Sequence, residues 1–485
     1  MSEVPRSPDK VLRRRVRQSQ FIEIPEPTSP AKTEGARERA KVLVLVLIGT
    51  ILTGGILLAT PLTTQSGERT PLIDSIFTST SAVAVTGLVT KDTGTHWNPL
   101  GQVVILVLIQ IGGLGFMVGA GLLFQMARGG GTSLRQTLFM HDGSASITLR
   151  QAASLARQIA IFTFAVEAVG WALLTVAFSR DMGIGQAAWH GLFHTVSAFC
   201  NAGFDLQGNF QSLTAYDNSV LMNVTVIAMV QAGSLSFLVA NDFWRFISTR
   251  WGSGPRARLQ IDSKIILTGN FVLLGVGLLS MLLFEWNGLL GGRGIGQKIM
   301  AGTFQSAAAR TAGFSTVAWD QAHSVTEFVW LVLMMIGGAS GSTAGGVKIA
   351  TVAVILIAVL SSFRGETEAD VFRRRIPPPV VMRAMAVVAF FLTLHFAGTL
   401  LLASSEVFIG GADRDFIKLL FETMSALATV GLSTGITPDL TESGKAVLCV
   451  LMFVGRLGPL TLAYALQMKS HQHRYRYPVG EVRIG

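Results

Sequence analysis

The chain has 485 residues, 50% of them hydrophobic and only 14% charged, with a mean hydropathy of +0.50, which excludes an ordinary soluble domain and indicates a polytopic membrane protein. Its formal net charge of +10 does not imply nucleic acid in such a chain, because the sidedness of the basic residues is what carries meaning. Two cysteines, Cys200 and Cys449, lie far apart in apolar surroundings and offer neither a disulfide framework nor a metal-ligand spacing.

In chain order, residues 1–40 are polar, Pro-containing and Arg-rich, with no compact apolar segment and cleavage site, and are expected to be a retained cytosolic tail. Apolar windows able to cross ~30 Å of hydrocarbon follow near 41–61, 101–125, 155–178, 219–240, 264–284, 325–361, 384–403 and 445–467. They predict eight spans. With the N-terminus inside, the cytoplasmic segments hold 28 Lys and Arg and the outer segments 9, so both termini, including the tail 468–485, are expected in the cytoplasm.

Each outer segment contains a helix-like run that ends at a glycine: FTSTSAVAVTGLV (77–89), FHTVSAFCNAGFD (193–205), TFQSAAARTAGFS (303–315) and FETMSALATVGLS (421–433). They align without gaps on Gly87, Gly203, Gly313 and Gly431, with Ala82, Ala198, Ala308 and Ala426 five positions earlier. The spans that follow also correspond, through QIGGLGF (110–116), QAGSLSF (231–237), MIGGASG (335–341) and FVGRLGP (453–459). The unit is helix, re-entrant helix and loop, helix, four times over, with repeats at 41–125, 152–248, 264–362 and 383–467. One such loop would be unremarkable in any membrane protein. Four in register are different, because a broken helix at membrane depth leaves carbonyls that must be buried in protein or line a water-filled path. The fold class expected is therefore all-α, with eight spans and four re-entrant pore helices in pseudo-symmetric repeats around a central pore. Glycine allows carbonyls to turn toward the axis, where they replace a cation's hydration shell.

The four segments VTGL, NAGF, TAGF and TVGL resemble the selectivity-filter segments of the Trk/Ktr/HKT superfamily of potassium transporters, over essentially all of 41–467. Eight spans without an extra N-terminal pair are most similar to the Ktr-type membrane subunit. The resemblance implies a K+ filter at the carbonyls of Val85, Thr86, Gly87, Asn201, Ala202, Gly203, Thr311, Ala312, Gly313, Thr429, Val430 and Gly431. Four glycines imply K+ selectivity in this superfamily, whereas serine in the first repeat goes with Na+ permeation.

The sixth apolar window is too long for one simple helix and is interrupted by GGASGSTAGGVK (337–348), which predicts two half-helices with a flexible linker. A phosphate loop is excluded by spacing, since Val347 separates Gly346 from Lys348 and Ile349 follows. A glycine-rich helix-packing surface is the alternative. The resemblance implies an intramembrane gate at 337–347, with Gly337, Gly338, Ser340, Gly341, Ser342, Thr343, Gly345, Gly346 and Lys348 as its residues. Arg456, mid-span where the other repeats hold Gly or Ser, is costly unless it faces water or a partner, and resembles the family's cavity arginine below the filter. Gly458 and Pro459 after it predict a kink.

Other candidates are weaker. Glu167 is either a coupling-ion ligand or a hydrogen-bonded structural carboxylate, and Asp205 either concentrates cations at the outer mouth or is a solvated loop charge. Arg310 is expected to point away from the cation path toward a carboxylate or carbonyl, and His395 to be a packed helix residue. GGRGIG (291–296) lacks a βαβ context, and neither an HExxH motif nor paired aspartates support an intramembrane enzyme.

No nucleotide-binding fold is visible in the chain. The resemblance implies K+ as the transported ion, Na+ as an activator, a homodimer, a bacterial inner-membrane location and a cytosolic RCK-type regulatory subunit, an octameric ring binding ATP or ADP; a Trk- or HKT-like Na+ or Na+/K+ carrier and a K+ channel without a regulator are the alternatives. The basic arm DKVLRRRVR (9–17) and the arginines 373–375 are candidate contacts for that ring or for anionic lipids.

Overall fold

A computed structural model describes residues 30–127, 149–251, 258–366, 368–411 and 414–466. The arm 9–17 and the tail 468–485 lie outside the described residues. Where the sequence is apolar the chain is helical, since a helix satisfies its own backbone hydrogen bonds. Large apolar side chains such as Phe271, Leu283, Phe396 and Leu400 face outward, as a lipid-facing surface requires.

The first repeat comprises α1 (Pro30–Leu58), α2 (Leu72–Ala84) and α3 (Pro99–Ala127). The second has α4 (Leu149–Phe178), α5 (Ile184–Phe199), α6 (Val220–Ser234) and α7 (Phe237–Trp251), and the third α8 (Ile261–Phe284), α9 (Ile295–Ala308), α10 (Ser324–Met335) and α11 (Ile349–Phe363). A hairpin of β1 (Ala369–Val371) and β2 (Arg374–Ile376) leads to α12 (Pro378–Phe408), α13 (Phe416–Leu427) and α14 (Glu442–Leu466).

Each short helix, α2, α5, α9 and α13, packs on the long helix before it. Neighbouring units meet through α3 and α4, α6 and α9, α10 and α13, and finally α14 and α2, so the contacts close a ring. Buried aromatics fill the seams. Trp319 stacks at 5.2 Å from Trp330 of α10 and 5.7 Å from Phe421 of α13.

Among the described residues, four helical segments are long and apolar enough to cross a membrane: Pro99–Gly119, Ala153–Phe178, Ile261–Phe284 and Pro378–Phe408. The apolar window 219–240 is not one straight span, because α6 stops at Ser234, Ser236 takes a left-handed φ of 70°, and α7 departs at 103°. The polar and charged residues Asp242, Arg245 and Arg250 of α7 fit that departure from the apolar layer. The window 325–361 is divided into α10 and α11 by the irregular segment 336–348, and Gly458 interrupts α14 with φ 73°.

The ring closes through a buried ion pair. Lys445 in the first turn of α14 donates to Asp74 in the first turn of α2 at 2.9 Å, and Lys91 stands 3.7 Å from the other carboxylate oxygen. Removing one partner leaves a charge in a largely desolvated seam, a loss of about 3 kcal/mol when a buried pair is broken. Lys445→Met is expected to lower the detergent-solubilised unfolding temperature markedly, and Lys445→Met with Asp74→Asn to recover much of it. Equal unfolding temperatures for Lys445→Met and parent would show that the pair does not hold the seam.

Candidate functional site

At the end of each short helix the chain reverses in the same way. Val85, Asn201, Thr311 and Thr429, two positions before the glycines, all adopt left-handed φ of 56°, 59°, 61° and 51°. Three of the four are β-branched, and for such residues this conformation costs on the order of 1–3 kcal/mol. Gly87, Gly203, Gly313 and Gly431 follow, also at positive φ.

Local hydrogen bonds hold the reversal. Thr86, Ala202 and Val430 donate their N–H to the carbonyls of Ser81, Ser197 and Ser425 at 2.8, 2.7 and 2.8 Å. The hydroxyls of Ser81 and Ser425 accept from the N–H of Gly87 and Gly431, both at 3.0 Å, and that of Ser197 donates to the Phe204 carbonyl at 2.7 Å. The third repeat has Ala307 at this position, and there Ala312 N–H donates to the Ala308 carbonyl at 2.9 Å. These serines were not singled out from the sequence, although the aligned runs carry them directly before the recurring alanine.

The four reversals meet. A Cβ placed on Gly87 would lie 2.5 Å from the carbonyl oxygen of Ala202, one on Gly203 2.9 Å from that of Ala312, one on Gly313 2.8 Å from that of Val430, and one on Gly431 2.0 Å from that of Thr86. Each glycine thus faces the carbonyl of the next repeat, and the fourth returns to the first. Among the described residues, no hydrogen bond is donated to the carbonyl oxygens of the twelve residues 85–87, 201–203, 311–313 and 429–431. The four glycine-centred segments are thus brought together, with the carbonyl oxygens of Thr86, Ala202, Ala312 and Val430 each set against the glycine of a neighbouring repeat.

A second layer lies against this ring. Gly112, Gly233 and Gly455, third in the aligned span motifs, leave room for the carbonyls of Val83, Phe199 and Leu427, which would stand 2.1, 1.9 and 1.9 Å from an added Cβ. Those oxygens are four positions before the ring glycines. Gly337, the counterpart in the third repeat, meets the carbonyl of Gly345 at 1.9 Å instead, so the 336–348 segment occupies the place that the short helix takes elsewhere.

That segment folds on itself and on its neighbours. Gly337 N–H donates to the Val347 carbonyl and Val347 N–H to the Met335 carbonyl, both at 2.9 Å, while Ala339 N–H donates to the Ser234 carbonyl at 2.8 Å. Gly341 and Gly346 take positive φ, and the Ser342 hydroxyl donates to the Ala339 carbonyl at 2.7 Å; Ser340 is half-buried. Lys348 turns its ammonium onto the carbonyls of Ala344 and Gly345.

Arg456 is buried and reaches both sides of this layer. It donates to the carbonyls of Thr343 and Gly112, the latter at 2.8 Å, and its guanidinium sits 4.4 Å over the Phe116 ring. Backbone oxygens, not a carboxylate, partner the charge.

The remaining candidates separate. Arg310 is buried and donates to the side-chain and backbone oxygens of Asn270 at 2.7 and 2.9 Å, behind the ring. Glu167 is held by the Gln110 amide at 3.2 Å to both oxygens, in a groove lined by Leu106, Phe164 and Trp171, and Gln110 in turn accepts from the Cys200 thiol at 3.6 Å, one residue before Asn201. His395 is buried on α12, with Nδ1 3.5 Å from the Thr423 hydroxyl. Asp205 accepts the Gln207 N–H at 3.0 Å in the loop after the ring, where burial, with Asp92 adding repulsion, pushes its carboxyl up to about 7.

A helical chain with outward-facing apolar spans packed round four re-entrant segments whose glycines meet is, in class, a membrane transport protein. Residues 26–476 match the family TrkH, described as cation transport protein. The chain is 36% identical to the potassium/sodium uptake protein NtpJ of Enterococcus hirae, over 93% of this chain and 98% of that one. It is 35% identical to the Ktr system potassium uptake protein B of Bacillus subtilis, over 92% and 96% of the two chains, and 35% identical to that of Vibrio alginolyticus, over 93% and 97%. The crystal structure of the potassium transporter TrkH from Vibrio parahaemolyticus shares the fold, with a TM-score of 0.66 at 19% identity over 89% of this chain and 85% of that one. The chain belongs to the TrkH family of cation transport proteins.

Substitution of the ring glycines should be graded by the approach distances. Gly431→Ala forces a Cβ onto a backbone oxygen and is expected to abolish cation transport, while Gly203→Ala and Gly313→Ser retain transport with reduced discrimination among alkali cations. Ion-flux assays on the purified variants test this order, and an unaffected Gly431→Ala would contradict it.

Proposed function

We propose that this chain is the K+-translocating subunit of an uptake system, and that dehydrated K+ is bound by the carbonyls of residues 85–87, 201–203, 311–313 and 429–431. One observation carries the reading: four glycine-centred reversals meet with the carbonyl oxygens of Thr86, Ala202, Ala312 and Val430 against neighbouring glycines, and among the described residues none of the twelve carbonyls accepts a hydrogen bond. Carbonyl dipoles favour a cation, and closely spaced oxygens substitute for its water shell. Relatives named for potassium uptake support K+ as the ion.

In this reading the four units 41–125, 152–248, 264–362 and 383–467 form eight spans and four pore helices, with both termini in the cytoplasm of a bacterial inner membrane. The bent pair α6 and α7 counts as one span, and α10 with α11 as another that is broken by its own loop. The loop 337–347 and Arg456 then form the barrier below the filter, since the loop takes the place of a helix end and the guanidinium presents a positive charge to an arriving cation. Asp205 serves the outer mouth, where its carboxylate gathers cations.

Uptake is Na+-activated and controlled by a cytosolic nucleotide-binding ring, with the membrane subunit a homodimer; the Ktr system names of two relatives support an assembly with other components. The exposed arginines 373–375, on the β1–β2 hairpin, are a contact for that ring or for anionic lipid. A second reading, uptake of Na+ alongside K+, is favoured by the relative named for both ions.

Purified chain in liposomes, given K+ or Na+ gradients separately and together, should take up K+ preferentially and faster with Na+ present. Na+ uptake equal to that of K+ would displace the first reading in favour of the second. Because the Asp205 carboxyl ionises near pH 7, half-saturation by K+ should improve from pH 6 to pH 8 as the charge appears, and Asp205→Asn should flatten that dependence. A pH profile identical in parent and variant would remove Asp205 from the mouth.

A further inference from the structure

The side chains two positions before the ring glycines do more than adopt a strained backbone: three of them touch the 337–347 loop. The Thr343 hydroxyl lies 3.2 Å from Asn201 Oδ1 and 3.3 Å from the Phe199 carbonyl, sharing its proton between two acceptors. Gly345 donates its N–H to the Thr311 hydroxyl at 3.3 Å, and a Cβ on Gly345 would stand 2.0 Å from the Thr429 hydroxyl. That last hydroxyl is buried with no hydrogen-bond partner among the described residues. Asn201 also donates from Nδ2 to the Arg310 carbonyl at 3.1 Å, so one amide ties the second repeat, the third repeat and the loop together. Gly233 leaves the space for this junction, since a Cβ there would meet the Phe199 carbonyl, Asn201 Oδ1 and Thr343 Oγ1 at 1.9, 2.7 and 2.8 Å. In the first repeat the equivalent residue is Val85, which has no side-chain hydrogen-bonding group.

We propose that Asn201, Thr311 and Thr429 are positioning residues that seat the 337–347 loop against the filter, so that the loop and the filter release one another when the path opens. This rests on the reading of that loop as the gate. The bonds are long for hydrogen bonds and individually weak, as a contact that must break in every opening requires. Their geometry also gives the left-handed residues part of their restraint, because the side chain that bonds the loop belongs to the residue that turns the carbonyl inward. Withdrawal of the loop frees Asn201 and Thr311 at once. The open state is therefore less selective than the closed geometry alone would give.

The test uses the full chain in liposomes, with K+ and Na+ flux measured for Thr343→Val, Thr311→Val, Thr343→Ser and a chain lacking residues 340–346. Loss of one hydrogen bond from the closed state raises K+ flux about fivefold. Thr343→Val and Thr311→Val are each expected to show that rise together with lower K+/Na+ discrimination, and Thr343→Ser, which keeps the hydroxyl, to behave as the parent. Should either valine variant fail to elute as a folded species, the other carries the test. Raised flux in the loop deletion with parental flux and selectivity in the valine variants would overturn the seating role and leave the gate standing. A deletion with no rise in flux would overturn the gate itself.

Discussion

Backbone carbonyls that end a helix inside an apolar layer must find partners, and here twelve of them accept no hydrogen bond among the described residues. The surrounding architecture follows from keeping those oxygens in place. A left-handed residue before each glycine turns the chain, a serine one turn earlier fastens three of the four turns, and glycines in the following helices let those helices approach closely enough to back the short ones. Each of these features costs backbone strain or forgoes side-chain packing. Together they produce an arrangement that no single repeat could hold, because each glycine is walled by the carbonyl of its neighbour.

The fourfold plan departs furthest in the third repeat. There the span after the glycine is broken into α10 and α11, and the intervening segment supplies the carbonyl against Gly337 that a short helix supplies elsewhere. Arg456 stands opposite this departure, and its contacts with the carbonyls of Thr343 and Gly112 join the irregular repeat to the first one. A buried guanidinium held by backbone oxygens keeps its charge without the desolvated carboxylate that would cancel it. The symmetry is thus kept where the four glycine segments meet and broken in the segment that lies against them.

Much of this was legible in the sequence, for physical reasons. Glycine, and the alanine five positions before it, recur because both sites admit little or nothing beyond the backbone, so four weakly similar segments still align. The interruption at 337–348 is visible because glycine and hydroxyl residues interrupt an apolar run. What escaped notice has no compositional signature. Ser236 bends the second repeat with an ordinary side chain in a left-handed conformation. Both Arg310 and Arg456 stand out in the sequence, and a carbonyl partner is expected for Arg310, but which carbonyls hold them, those of Asn270, Thr343 and Gly112, carries no residue signal. The hairpin at 369–376 was likewise hidden, since its turn places Phe372 and Arg373 at positive φ where asparagine and glycine are the usual signal.

The pairing of Asp74 with Lys445 spans 371 residues, and the approach of Gly431 to Thr86 is nearly as long-range. A chain made from its N-terminus inserts the first repeat long before the fourth exists. Until then α2 lacks α14 along one flank, and the carbonyl of Thr86 faces a gap in the wall. Loop closure over such a separation is entropically slow to reward. The seam between the first and last units is therefore the last part of the ring that can form.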